Sequence, residues 1–291
     1  MYHPPVEIQP ARKTAVILLS PGVKMRVAPH RLYNQMAEKF SSNGFPVLRF
    51  DFWGLGDSEG ECPEELLADL YGEIQVGRYV QDCQCAMTWL SGEKGIDRFV
   101  LGGLCGGAIT GLLAGADDPR CVGLLALGIP VILDSANVDK GRYMTQWQRG
   151  AIRQKYFSKL ISPGAWLRLL TFKSDFSLIW RSVFQTGNHK PASSKAQETV
   201  QTEKSNVNPL FAPKFFRLLE RGCPALLIFS GADRLLHEYE EKFASWHRER
   251  LESAQIGLKL HVVPNANHIL SLQEWKQNMM EQACGWLAGF E

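Results

Sequence analysis

Six short runs of apolar residues recur along the chain, at positions 15–20, 46–52, 99–102, 122–129, 225–230 and 259–263. They are β-branched or Leu-rich and show no polar alternation, the pattern of strands buried on both faces of a parallel sheet. Between them, apolar residues return at helical spacing. Pro29 opens one such stretch, with Leu32, Met36 and Phe40 on one face and Gly44 as its stop. Val76, Val80, Cys83, Met87 and Leu90 make a second stripe, and residues 106–115, 211–222, 237–251 and 272–287 supply the others. Strand and helix in alternation predict an α/β fold, a mostly parallel sheet covered by helices on both faces.

One stretch breaks that rhythm. Over 90 residues separate the run ending near Val131 from the one starting near Ala225, far more than a simple crossover needs. The pattern therefore predicts a core built from residues 1–131 and 210–291 and an inserted helical cap or lid at 132–209. Within the insertion, residues 187–208 are polar and almost free of apolar side chains, a composition that does not drive packing.

Charge sharpens this division. The chain of 291 residues has a net charge of only +2, which argues against a nucleic-acid binder. Yet residues 132–209 hold 12 Lys and Arg against 5 Asp and Glu, a net +7, while the remainder carries −5. No apolar run reaches the ~18 residues of a membrane span, and the N-terminus lacks the basic start and apolar stretch of a signal peptide. Seven cysteines, an odd number, in a chain of this size read as reduced thiols in a cytoplasmic protein. Cys83 and Cys85 are too close together for a zinc knuckle and lie in a helical pattern, so they read as packing residues. His and Cys are too dispersed for a metal site, and no phosphate-binding loop is present; the expected cofactor and metal content is none.

The chemistry concentrates at three places. Gly103-x-Cys105-x-Gly107 follows a strand and opens a helix, the arrangement of a nucleophile elbow with Cys in place of Ser. Small residues are required because strand and helix approach closely, and a thiol at a helix N-terminus has a lowered pKa. Two other readings stand beside it: a dinucleotide loop, which fails for want of a Gly triplet at the right spacing, and a small buried cysteine. Two later strand ends supply partners. One leads into Gly231-Ala232-Asp233, the other into Asn265-Ala266-Asn267-His268. Nucleophile, acid and base then follow in the chain order of acyl-transfer triads on such sheets: Cys105, Asp233, His268. Asp134 is a fallback acid. His261 reads as a packed or surface residue, His237 as a helix start, and Asp51 and Asp57 as structural. The third place is the loop after the first strand, where Val23 N–H and Gly106 N–H are the candidate oxyanion donors. Lys24 and Arg26 follow at once, either as solvated charges or as contacts to an anionic part of the substrate.

Residues 47–60, VLRFDFWGLGDSEG, are similar to the Asp-x-x-Gly-x-Gly-x-Ser turn of α/β-hydrolases. That turn, the elbow, the Gly-x-Asp and the Asn-His together resemble the serine-aminopeptidase-like (hydrolase 4) branch. Ser-Pro-Gly-Val-Lys at 20–24 and Leu-Arg-Phe-Asp at 48–51 resemble exosortase-system-associated and related biosynthetic hydrolases. The likeness covers residues 15–131 and 211–288 and implies an α/β-hydrolase fold. The chain departs from it in two ways: Cys105 stands where most relatives have Ser, and the usual opening hairpin is reduced or missing.

A Cys nucleophile with an Asp–His pair makes an acyl-S-enzyme. Exchange of an acyl group from one thiol to another is nearly thermoneutral, so the first expectation is a thioesterase or acyltransferase that releases or cyclises an acyl chain. The alternatives are a carboxylesterase or lipase-like hydrolase, with cap aromatics such as Trp147 and Trp166 lining an acyl pocket, and a non-catalytic ligand-binding descendant. The basic, amphipathic segment 155–172 fits docking of an acidic acyl or peptidyl carrier protein, a phosphopantetheine arm or coenzyme A. A membrane surface is the less favoured partner.

Overall fold

The computed structural model describes residues 1–6, 12–64, 66–133, 206–254 and 257–290. The chain divides into a larger unit, Met1–Ala136 with Val207–Glu291, and a smaller one, Asn137–Asn206. The cap proposed at 132–209 falls almost wholly outside the described residues, and with it Asp134, Trp147, Trp166, the segment 155–172 and most of 187–208.

The larger unit is built on one seven-stranded sheet. Its strands are β1 (Tyr2–His3), β2 (Thr14–Leu19), β3 (Val47–Phe50), β4 (Arg98–Leu104), β5 (Cys121–Leu127), β6 (Ala225–Ser230) and β7 (Leu258–Val263). They lie in the order β1-β3-β2-β4-β5-β6-β7. Every pairing is parallel except β1 with β3. The two-residue β1 pairs Tyr2 with Leu48 and His3 with Val47, so an edge strand does precede the first predicted one, though only as a remnant.

Side chains alternate between the faces as strand geometry requires. Ala15, Ile17 and Leu19 of β2 join one buried cluster, while Val16 and Leu18 join the other. The first cluster lies under α2 (Leu67–Gln75), α3 (Val80–Lys94), α4 (Gly106–Gly115) and α5 (Phe211–Glu220). The second lies under α1 (Leu32–Ser42) and the last helix, Gln273–Leu287. All ten residues of α4 are buried, which explains why that helix reads as apolar all round instead of as a stripe.

Three differences from the sequence reading have local causes. Helix α2 was not anticipated. The stripe that begins at Val76 instead starts at Val80, because Gly77 takes φ 111° and separates α2 from α3; Val76 is exposed. The single helix expected over 237–251 is three pieces: α6 (Arg234–Tyr239), a π-turn at Glu240–Ala244 and α7 (Arg248–Ser253). The final helix, Gln273–Leu287, is α8.

The π-turn turns Phe243 into an aromatic cluster. Its ring centroid lies 4.8 Å from Phe211, 5.5 Å from Phe215, 5.5 Å from Tyr239 and 4.9 Å from His247. Phe243 is fully buried. Replacing it with Ala is expected to cost about 3–5 kcal/mol of stability through lost transfer energy and the cavity left behind. Urea unfolding checks this, and a cost below ~1 kcal/mol would show that the cluster does not hold α5 against the 234–247 segment.

Candidate active site

Four segments end at one rim of the sheet. β4 leads through Cys105 directly into α4, and Cys105 itself takes φ 54° and ψ −112°. A non-glycine residue at positive φ is strained unless its surroundings fix it. Here the close approach of strand and helix does so. A methyl group on Gly103 would sit 2.4 Å from the Gly107 carbonyl carbon, and one on Gly107 would sit 2.2 Å from the Leu19 carbonyl oxygen. Glycine is therefore demanded at both positions of the motif, which a merely buried cysteine would not require. Cys105 packs against both core clusters and is half-buried.

Asp233 is the N-cap of α6, accepting the Leu235 N–H at 3.5 Å. His268 lies on the loop after β7. Two backbone bonds sew these loops together: Gly231 N–H to Val263 O and Ala232 N–H to Ala266 O, each 2.9 Å. Asn265 and Leu270, at φ 56° and 50°, bend the second loop on either side of His268. The result is an His268 Nδ1···Asp233 Oδ2 hydrogen bond of 2.6 Å and a hydrogen bond between the His268 ring and Cys105. With Nδ1 committed to Asp233, the thiol is served by Nε2. The structure thus brings Cys105, Asp233 and His268 together.

Opposing effects set the protonation of His268. Burial, the largest single effect, pushes its pKa down. The hydrogen bonds and negative charges of Asp233 and Cys105 together outweigh it and raise the value to about 10. Asp233 and Cys105 favour the imidazolium because both are acceptors aimed at its ring protons.

The loop after β2 meets the elbow edge on. A methyl group on Gly106 would lie 2.5 Å from Gly22 Cα, so the backbones of loop and helix start are in contact. Val23 N–H and Gly106 N–H donate to no group among the described residues. Gly106 is the first residue of α4, where helix geometry leaves amides unpaired and the helix dipole favours negative charge. The loop is anchored from behind. Ser20 Oγ donates to Phe50 O at 2.7 Å, and Asp51, whose side chain is fully buried, accepts from both the backbone N–H and the guanidinium of Arg26. Asp57 takes the other end of that guanidinium at 2.6 Å.

Arg26, expected either as a solvated charge or as a substrate contact, is paired with Asp51 and Asp57 and ties the loop after β2 to the turn after β3. Lys24 is exposed. His261 accepts or donates a 2.7 Å bond with Asn278 on α8, and His237 lies inside α6 near Glu240. Helix α2 also borders the site. Tyr71 Cε1 would be 3.0 Å from a methyl on Gly22, and Ile74 Cγ2 3.2 Å from one on Gly106. The signal for α2 was present as Leu67, Leu70, Tyr71 and Ile74 at helical spacing. Among the described residues, no group of three or more His, Cys, Asp or Glu side chains is placed to hold a metal.

A family model described as alpha/beta hydrolase family matches residues 17–279. No curated protein matches. Solved structures do. An esterase of Pyrococcus furiosus has a TM-score of 0.54 at 18% identity, covering 96% of this chain and 84% of that one. An α/β serine hydrolase without lid from Xanthomonas campestris has a TM-score of 0.50 at 15% identity, covering 100% and 89%. A cold-adapted esterase from an Arctic intertidal metagenomic library gives 0.51 at 14%, covering 100% and 87%.

The raised pKa of His268 has a consequence for stability. Its unfolded-state value is about 6.5, so between pH 6.5 and about 10 the folded protein binds more protons than the unfolded one, and stability falls as pH rises. The contribution is complete below pH 6.5 and lost above about 10. Thermal melts over that interval are expected to show this decline in the native protein and a flatter curve for Asp233→Asn. Parallel curves would show that the Asp233–His268 contact does not carry it.

Proposed function

Because the chain belongs to the alpha/beta hydrolase family, we propose that it transfers acyl groups through a covalent acyl-Cys105 intermediate, acting on carbonyl substrates with a good leaving group: thioesters first, esters as the second reading. One observation carries the proposal. The Cys105 thiol stands at a strained strand-to-helix turn, hydrogen-bonded to a histidine whose other ring nitrogen is held 2.6 Å from a buried carboxylate.

The steps follow from that geometry. Cys105 Sγ, its proton passed to His268 Nε2, attacks the carbonyl carbon. The carbonyl oxygen becomes negative and takes the Val23 and Gly106 N–H groups, donors aimed where charge develops. The tetrahedral intermediate collapses as the carbon–leaving-group bond breaks, and His268 returns its proton to the departing thiolate or alkoxide. Water, or a second thiol or alcohol, then attacks the acyl-S bond with His268 as base and restores the free thiol. Asp233 holds the ring with Nε2 toward sulfur and stabilises the imidazolium between steps.

Cysteine favours thioesters because its own leaving ability matches theirs, so acyl exchange between sulfurs has little thermodynamic bias. The net +7 of residues 132–209 supports an anionic donor, an acyl thioester on a carrier protein or coenzyme A. The motifs at 20–24 and 48–51 favour a biosynthetic role of the exosortase-associated kind. The ester reading is supported by the Pyrococcus furiosus and Arctic proteins, both described as esterases.

Incubation with para-nitrophenyl butyrate and with the butyryl thioester of N-acetylcysteamine, followed by intact mass spectrometry, is expected to show one butyryl adduct that maps to Cys105. Cys105→Ala is expected to lose the adduct and about 10³-fold or more in kcat. Faster turnover of the thioester supports the first reading, faster turnover of the ester the second, and absence of any adduct at Cys105 overturns both.

A further inference from the structure

β2 and β4 run in register up to Leu19 opposite Gly103. The next amide of β4, Leu104 N–H, faces β2. It donates instead to the phenol oxygen of Tyr33, at 2.6 Å. The same phenol donates its own proton to Leu19 O, at 2.8 Å. A single hydroxyl is therefore threaded into the sheet where a direct backbone bond would otherwise close it. Tyr33 has no exposed surface, and burial raises its pKa far above the usual range, so the hydroxyl keeps its proton and serves as donor and acceptor at once.

Both of its partners lead straight into the site. Leu104 precedes Cys105, whose own N–H is held from the opposite side by Leu127 O of β5 at 2.8 Å. Leu19 precedes Ser20 and the loop that carries Val23. The Leu19 carbonyl oxygen is also the atom against which Gly107 packs without room for a methyl. Tyr33 is delivered to this point by the first turn of α1. Ala28, His30 and Arg31 approach that turn at φ 58°, 54° and 56°, and Tyr33 N–H bonds to Val27 O at 3.2 Å.

We infer that Tyr33 is a positioning residue for acyl transfer: its hydroxyl is the spacer that sets how far the loop bearing Val23 N–H stands from the elbow bearing Cys105 and Gly106 N–H. The inference rests on the acyl-Cys105 reading. It makes a distinction that a purely structural role does not. Stabilising an oxyanion depends on the spacing of the two amides, whereas the nucleophilicity of the thiol toward an alkyl halide does not, because that displacement creates no oxyanion.

Tyr33→Phe removes one oxygen and keeps the ring. It is expected to lower kcat for para-nitrophenyl butyrate by on the order of 10–100-fold, the size of effect that accompanies misplaced oxyanion donors, with KM within about 2-fold, a shift that scales with differential transition-state binding. In the same protein, alkylation of Cys105 by iodoacetamide, followed by mass mapping of that cysteine, is expected to keep the native rate and pH midpoint. Meta-fluorotyrosine at position 33, which retains the hydroxyl, is expected to restore kcat and stands in as the test of the hydroxyl should Tyr33→Phe not fold. An unchanged kcat in Tyr33→Phe overturns the inference, as does a parallel fall in acylation and alkylation, and as does a fluorotyrosine protein that folds yet loses turnover. Failure of the native protein to form any acyl-Cys105 is a separate result and overturns the parent reading instead.

Discussion

The backbone of Cys105 is the constraint around which the rest is arranged. A residue with a side chain at φ 54° costs of order 1–3 kcal/mol and persists only when its neighbours leave no alternative. The strand before it is paired on both sides, its own N–H is held by Leu127 O, and the helix after it begins so close to β2 that Gly107 touches the Leu19 carbonyl. The reward for that strain is placement. The thiol stands at the end of a strand buried from Phe99 to Leu104, and the first amides of α4 begin beside it.

Electrostatics complete what the backbone begins. His268 pairs with a carboxylate on one side and sulfur on the other, so the imidazolium is the favoured form, and its proton is available to a leaving group. The loop opposite is held by a different device: Asp51, buried, takes two bonds from Arg26, and Asp57 shares the guanidinium. Buried charge of this kind is tolerated because each member is paired. The basic residue that stood next to the oxyanion loop in sequence is thus an internal brace, and the loop keeps its shape without calling on substrate.

How much of this could be read in the sequence depends on how local each signal is. The turn at Cys105 was legible because Gly103, Cys105 and Gly107 report a single turn, and the meeting of Asp233 and His268 beside it because each sits at the end of an apolar run in the expected order. Six strands were legible for the same reason, with β6 at residues 225–230 as read and the others' ends displaced by at most two residues. The bracing pairs of Arg26 were not legible because its partners lie 25 and 31 positions away, and side-chain pairing at that range leaves no periodic trace. Tyr33 was invisible as anything but core: in the register of Leu32, Met36 and Phe40 an aromatic is unremarkable, and nothing in a linear pattern says where its oxygen points. Helix α2 was missed although its spacing was present, because its cap Leu66 and first residue Leu67 are exposed, so its buried stripe is short.

The order of the strands in space also has a bearing on how the chain is made. Cys105 and both candidate oxyanion amides belong to the segment before residue 133, while Asp233 and His268 belong to the segment after 206. In the sheet they are joined where β6 pairs with β5, through Leu124 to Leu127 against Ala225 to Ile228. As the polypeptide leaves the ribosome, N-terminal portions precede the rest, so the Cys105 thiol emerges long before the His268 imidazole. Cys105, Asp233 and His268 therefore meet only once β6 and β7 have joined the sheet.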